Sequence, residues 1–154
     1  MEYMIVKWLH ILSSTFLFGT GIGSAFYMLF TSLSRDVRAI AVVSRHVVLA
    51  DWIFTATTVV IQPLTGAYMI HLAGYPWESR WIMWSLMLYV LAGACWLPVV
   101  WIQIRMRDMA QVAARDNTAL PEQYWRFLRI WTLLGIPAFI AMVAIFWLMV
   151  SKPA

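Results

Sequence analysis

The stretch from Trp81 to Ile104, WIMWSLMLYVLAGACWLPVVWIQI, decides the fold of this chain. It contains no Asp, Glu, Lys or Arg. A helix needs about 20 mostly apolar residues to cross the hydrocarbon core of a bilayer. A single strand cannot cross it, because its backbone polar groups would lack partners in lipid. The stretch therefore predicts a transmembrane helix.

Three further stretches have the same apolar character. The predicted spans are residues 6–30, 47–72, 81–104 and 127–150. The composition agrees, since 63% of the 154 residues are hydrophobic and 12% are charged, with a mean hydropathy of +0.77. Soluble domains carry about 25% charged residues. We therefore predict an all-α integral membrane four-helix bundle, a single transmembrane domain over residues 1–154.

The basic residues predict the orientation of the bundle. Eight of the eleven lie in the loops after the first and third spans or beside them: Arg35, Arg38, Arg45, Arg105, Arg107, Arg115, Arg126 and Arg129. Because cytoplasmic loops are enriched in Arg and Lys, both termini are expected outside. Residues 107–122 are expected to form an amphipathic helix on the cytoplasmic surface. The basic residues are split between loops and have acidic neighbours, so we expect a lipid bilayer and no nucleic acid as partner.

A polar stripe marks the second span: Asp51, Thr55, Thr58 and Gln62 follow the spacing i, i+4, i+7, i+11 and share one helix face. Polar groups facing lipid are costly, so the stripe is expected to face the bundle interior. Two interpretations stay open. The stripe forms hydrogen bonds between helices, or it lines a path for a proton, an ion or a cofactor.

Asp51 is the one charge clearly inside a span, and a carboxylate there needs a partner. An ion pair with Arg45, Arg105 or Arg129 is one interpretation, and proton exchange is the other. In the third span, Ser85, Tyr89, Trp96 and Gln103 also share a face. Pro63 leaves a backbone carbonyl free one turn earlier and predicts a kink.

His10 lies in the outer part of the first span. A histidine buried in a helical bundle is a common axial ligand of haem iron. His10 is therefore the candidate metal ligand and haem b the candidate cofactor; an interfacial hydrogen-bonding histidine is the alternative. Further cofactor-binding candidates are Ser14 on the first span, His71 at the end of the second, and Ser85 and Tyr89 on the third. The single cysteine, Cys95, excludes a disulfide within the chain and multi-cysteine metal sites.

Five motifs carry a resemblance to a known family: Trp8-Leu-His-Ile11, Leu49-Ala-Asp-Trp-Ile-Phe-Thr55, Val60-Ile-Gln-Pro-Leu-Thr-Gly66, Ala73-Gly-Tyr-Pro-Trp77 and the stretch from Gly93 to Asp108. Over nearly the whole chain they resemble the integral membrane proteins of the domain-of-unknown-function 2269 family. This resemblance implies a multi-pass protein of the bacterial inner membrane and no particular activity.

A more distant resemblance is to HemJ-type protoporphyrinogen oxidases and CopD-like membrane proteins. It implies haem b on a histidine of the first span, which corresponds to His10. HemJ-type proteins also carry a lysine early in the third span, where this chain has Trp84 or Ser85. The departure puts the oxidase activity in doubt.

Three functions follow as alternatives. The first is a haem-b-binding redox or electron-transfer protein, which would be an oxidoreductase if it is an enzyme. The second is a non-enzymatic assembly subunit or scaffold in a homo-oligomer or larger membrane complex. It would pack through Thr15, Gly19 and Gly23, whose spacing lets helices approach closely. The third is a small proton-coupled transporter or channel that uses the polar stripe and acts as an oligomer.

Overall fold

The computed structural model describes residues 1–153 and consists of helices joined by short turns. Their bounds are α1 Glu2–Ser34, α2 Val37–Ala50, α3 Ala56–Ala73, α4 Arg80–Asp116 and α5 Glu122–Ser151. A π-helical turn, Asp51–Thr55, joins α2 to α3 in one continuous helix. Four helices are long and apolar enough to cross a membrane: α1, α2–α3, α4 and α5. The described residues contain no strand. The prediction of an all-α membrane bundle with four spans is confirmed.

The helices extend beyond the predicted spans. α4 has 37 residues and is about 55 Å long at 1.5 Å per residue, whereas a hydrocarbon core is about 30 Å thick. The separate surface helix expected for residues 107–122 is wrong, since residues up to Asp116 continue α4. The physical reason is that Met106, Ala110 and Ala113 form a buried face of the same helix.

Two turns lie close together at the end of the molecule that carries most arginines, which we call the arginine-rich end. Between α1 and α2, the Asp36 carboxylate caps α2 by accepting from the backbone N–H groups of Arg38 and Ala39. Between α4 and α5, Asn117 adopts a left-handed conformation with φ 53° and ends α4. Arg38 Nη2 donates to Asn117 Oδ1 at 3.2 Å and links the two turns.

The opposite end, which we call the terminal end, holds the start of α1, the end of α5 and the turn at residues 74–79. Tyr68 near the end of α3 donates a hydrogen bond to Glu2 at the start of α1. Lys152 after α5 donates to the Tyr75 hydroxyl at 3.1 Å and lies over the ring of Trp81. These contacts place the start of α1 and the end of α5 beside the α3–α4 turn.

The hydrophobic core lies toward the arginine-rich end. Its buried members are Met28, Ile40, Ala41, Val47, Ile102, Met106, Ala110, Tyr124, Leu128 and Trp131. They come from α1, α2, α4 and α5, so this cluster joins all four spans. Beyond it, α1 packs on α3 and α4 packs on α5, and Phe18 of α1 contacts Phe139 and Phe146 of α5. The space between the two helix pairs is not filled by side chains.

One buried hydrogen bond in the core tests this arrangement. Ser32 donates to the Met28 carbonyl, and its Oγ lies 2.7 Å from the Tyr124 hydroxyl, which therefore donates to it. We expect Tyr124→Phe to lower the free energy of unfolding by about 1 kcal/mol, because one buried hydrogen bond is lost. Unfolding by SDS in mixed micelles measures this. Ser151→Ala is the control, since its exposed hydroxyl bonds only to the Trp147 carbonyl of its own helix. Equal stability of Tyr124→Phe and the wild type would contradict the prediction.

Candidate functional site

The Asp51 carboxylate lies buried where the second, third and fourth spans meet, with 6% of the residue exposed. Thr55 Oγ1 donates to Asp51 Oδ1 at 2.9 Å, and Gln103 Nε2 donates to Oδ2 at 2.8 Å. Trp131 Nε1 in turn donates to Gln103 Oε1 at 3.0 Å. One chain of side-chain hydrogen bonds therefore links three spans.

The interpretation in which Asp51 pairs with an arginine is wrong. The ion pairs among the described residues are Arg107–Asp108, Arg115–Asp116 and Arg126–Glu122. Arg105 lies over the ring of Trp101 at 5.4 Å from its centre. Within residues 1–153, Asp51 therefore has neutral hydrogen-bond donors and no cationic partner.

The π-helical turn begins at Asp51. The backbone N–H of Ala56 donates to the Asp51 carbonyl, one residue further along than in an α-helix. Thr57 donates its hydroxyl to the Ile53 carbonyl at 2.7 Å, and Thr58 donates to the Phe54 carbonyl at 2.6 Å. The threonine hydroxyls thus bond carbonyls of the widened turn. π-helical turns within α-helices occur frequently at functional sites.

The rest of the polar stripe continues along α3. Thr55 and Thr58 are buried, as Asp51 is. Gln62 is half-buried, and its Oε1 has no hydrogen-bond partner among the described residues; the same holds for Ser13 Oγ on α1. The contact of His10 with Thr65 sets the antiparallel register of α1 and α3, and in this register Ser13 lies opposite Gln62. Two unsatisfied polar atoms therefore occur at one level of the α1–α3 contact.

A cavity of about 440 Å³ lies between the α1–α3 pair and the α4–α5 pair. We call it the lateral cleft. At its polar side lie Asp51, Thr55, Gln103 and Trp131, and the remaining lining is mostly apolar. Exposed side chains of α1 and α5 line its opening: Ile22, Phe26, Ile136 and Phe139. The lateral cleft therefore opens sideways, toward the lipid, between α1 and α5.

Two aromatic side chains of α4 also line the lateral cleft. Tyr89 donates its hydroxyl to the Val59 carbonyl at 2.7 Å. This is the carbonyl that Pro63, which has no N–H, leaves without a helical donor. Trp96 lies nearer to Asp51, and its buried Nε1–H has no acceptor among the described residues. The polar side of the cleft thus holds a carboxylate, and the side chain of Trp96, which lines the same cleft, contains a buried N–H without an acceptor among the described residues.

His10 lies outside the lateral cleft, in the contact between α1 and α3. Its Nδ1 is 2.7 Å from Thr65 Oγ1. Thr65 Oγ1 also lies 2.8 Å from the Ile61 carbonyl; in the tautomer in which Thr65 donates to that carbonyl, His10 Nδ1 donates to Thr65 and Nε2 keeps its lone pair. The ring lies against Gly66, where an added Cβ would come within 3.2 Å of His10 Cε1.

The other predicted cofactor-binding residues are not gathered around His10. Ser14 and Ser85 are buried and donate to carbonyls of their own helices, those of Ile11 and Trp81. His71 is exposed at the end of α3. Of these residues only Tyr89 lines the lateral cleft. Residues 1–153 contain no group of three or more His, Cys, Asp or Glu that could hold a metal ion. His10 is thus a candidate for a single axial ligand, and it lies outside the lateral cleft. Haem binding stays a prediction.

The sequence predicts a helix-packing face formed by Thr15, Gly19 and Gly23. A Cβ added at Gly19 or Gly23 would meet no atom within 4 Å. No other helix of this chain therefore approaches closely there, and the contact with a second copy or another protein stays a prediction. Trp131 is not among the predicted site residues. The only signal for it in the sequence is its position about one turn inside the fourth span, beyond the interface where tryptophan gathers.

These features define a multi-pass integral membrane protein with four spans and an intramembrane cleft. The family follows from comparison of the sequence. The chain belongs to the family described as predicted integral membrane protein (DUF2269), whose model matches residues 4–153. No curated protein and no solved structure matches it. The distant resemblance to HemJ-type and CopD-like proteins therefore stays a prediction.

Gln103 holds the polar network together, so its replacement has a predictable cost. Gln103→Leu leaves Asp51 Oδ2 and Trp131 Nε1 without their partners. We expect a loss of about 1–3 kcal/mol in the free energy of unfolding, the cost of leaving buried polar groups unsatisfied. SDS unfolding in mixed micelles measures it.

The matched control is Gln111→Leu, an exposed glutamine on the same helix, which should change stability by less than about 0.5 kcal/mol. Trp131→Phe added to Gln103→Leu should cost less than it does alone, because the shared hydrogen bond is already gone. Full additivity of the two substitutions would contradict the network.

Proposed function

We propose that this protein binds a lipid-soluble molecule in the lateral cleft, with Asp51 as the polar anchor of the site. One observation carries the proposal: the mostly apolar lateral cleft ends at the buried carboxylate of Asp51, which has no cationic partner within residues 1–153. Ligand pockets typically have volumes of about 300–1,000 Å³, apolar linings and a few convergent polar groups. The lateral cleft has each of these properties.

The cost of the carboxylate supports a functional role. Burying a charge without a partner is expensive, and ionisable groups inside membranes are functional candidates by default. An apolar residue of similar volume at this position would pack equally well. Asp51 instead occupies the one place where the cleft, the π-helical turn and the α4–α5 pair meet.

The proposal develops the transporter interpretation of the polar stripe. A carboxylate that binds a ligand can also exchange a proton. The proposal therefore extends to transport of the ligand coupled to protons. The arginine distribution supports a cytoplasmic arginine-rich end and outer termini in a bacterial inner membrane. In that orientation the core lies on the cytoplasmic side of the cleft.

Filling the cleft tests the proposal. Gly135 lines the lateral cleft, and an added Cβ there meets no atom within 4 Å. We expect Gly135→Leu to occupy the cavity without a clash and to exclude the ligand. Native mass spectrometry of the protein released from nanodiscs should detect a small-molecule adduct on the wild type and none on Gly135→Leu.

Gly19→Leu is the matched control, because Gly19 also has open space but lies outside the cleft lining. It should keep the adduct. An adduct that persists on Gly135→Leu, or a wild type that carries none, would contradict ligand binding in the lateral cleft.

Haem b on His10 is a second candidate function, and one observation favours it. Histidines that ligate metals almost always donate a hydrogen bond from the other ring nitrogen, which sets the tautomer. The bond from His10 Nδ1 to Thr65 leaves Nε2 available in this way. Haem, when bound, would supply one-electron redox chemistry, and His10 would hold it by Nε2.

The absorption spectrum of protein expressed with ample haem tests this candidate. Haem on His10 would give a Soret band that His10→Ala removes and that His46→Ala keeps, since His46 lies toward the arginine-rich end. A purified protein without a Soret band, or an unchanged band in His10→Ala, would exclude it.

A further inference from the structure

We infer that the ligand of the lateral cleft is a lipophilic organic cation, whose positive group binds the Asp51 carboxylate. This inference rests on the proposed function and adds the charge and chemical class of the ligand. Three observations carry it: the charge of the cleft lining, the free acceptor positions of the carboxylate, and the aromatic rings around it.

The charge of the lining selects a cation. Asp51 is the only charged residue that lines the cleft. No arginine lines the cleft; Arg107, Arg115 and Arg126 form ion pairs with neighbouring acidic residues, and Arg35 and Arg105 lie over tryptophan rings. In a medium of low dielectric constant a single charge acts strongly and is weakly screened. A cation in the cleft therefore gives Asp51 the partner that no described residue supplies, whereas an anion is repelled.

The carboxylate has acceptor capacity left for the ligand. An ionised carboxylate offers about four lone-pair positions. Thr55 and Gln103 occupy one on each oxygen. These two bonds also hold the carboxylate in one direction, because Gln103 is itself held by Trp131. Asp51 lines the cleft, so a ligand ammonium or another positive group in the cleft can bind at the remaining positions.

Aromatic side chains are frequent in the lining of the cleft. Trp96, Trp131, Tyr89, Phe18 and Phe139 all line it, and Phe139 is exposed. The faces of aromatic rings attract cations, and the attraction is stronger where water is excluded. The same rings pack well against an apolar ligand body. A cation that carries apolar groups thus finds favourable contacts along the whole cleft.

Two ions of nearly the same size and shape separate charge from hydrophobicity. Tetraphenylphosphonium is a cation and tetraphenylborate is an anion. Binding of each to the protein in phosphatidylcholine nanodiscs is measured by equilibrium dialysis, with binding to empty nanodiscs subtracted. We expect the wild type to bind tetraphenylphosphonium at least about tenfold more tightly than tetraphenylborate.

The variants identify the group responsible. Asp51→Asn keeps the size of the side chain and removes its charge, and it should weaken tetraphenylphosphonium binding about tenfold or more. Asp108→Asn removes an exposed acidic charge on α4 and should leave binding unchanged. Should Asp51→Asn fail to fold, the preference between the two ions and its loss in Gly135→Leu still decide the matter.

The outcomes separate this inference from the proposed function. Equal binding of both ions, each lost in Gly135→Leu, overturns the cation inference and keeps the cleft as a ligand site. A cation preference that survives in folded Asp51→Asn also overturns it. Absence of protein-dependent binding of either ion overturns it as well, and the adduct measurement then decides the proposed function separately.

Discussion

The hydrogen-bonded chain from Trp131 through Gln103 to Asp51 is the contact on which the arrangement of this bundle depends. In lipid there is little hydrophobic drive between helices, so packing and polar contacts decide how they sit together. The chain joins three spans at one level, and every bond in it is directional. A rotation or shift of any of these helices would leave a buried polar group unsatisfied. The network therefore sets the rotation of α3, α4 and α5 about their axes, and it lies where the tight core ends and the cleft begins.

The second span, which lines the lateral cleft beside this network, has an irregular backbone. The π-helical turn widens the helix at Asp51, and Pro63 removes a helical hydrogen bond further along α3. Both irregularities are stabilised by hydroxyl groups. Threonines bond carbonyls of the widened turn, and Tyr89 of α4 donates to the carbonyl that Pro63 frees. That last bond crosses from one helix pair to the other, and both of its residues line the cleft.

The sequence was sufficient for the spans and for the shared faces, because both depend on one helix at a time. Hydropathy predicts the spans, and helical spacing puts Thr55 and Thr58 on the face of Asp51. The partners of Asp51 depend on relations between helices, which spacing does not contain. The predicted depths in the membrane favour an arginine as the partner of Asp51. Arginine side chains are long, however, and extend to the membrane surface. The side-chain amide of Gln103 is therefore the donor to Asp51 from another helix. His10 and His71 also have similar predicted depths, yet in residues 1–153 His10 has a side-chain hydrogen bond to another helix, whereas His71 is exposed. The π-helical turn has no signal in hydropathy or spacing.

The core at the arginine-rich end decides how a ligand would reach Asp51. Tyr124, Met106 and Ile40 are almost fully buried there, and Ser32 and Tyr124 close the space between α1 and α5 with a hydrogen bond. A path to that side would require this core to separate, at the cost of its buried apolar contacts. The opening between Phe26 and Phe139 requires no such change, because both side chains already face the lipid. In this conformation the proposed ligand would therefore enter from within the membrane. Transport across it would require a second conformation in which the core opens, and the hydrogen bonds of Asp51 are the contacts that a change of charge at the carboxylate would weaken first.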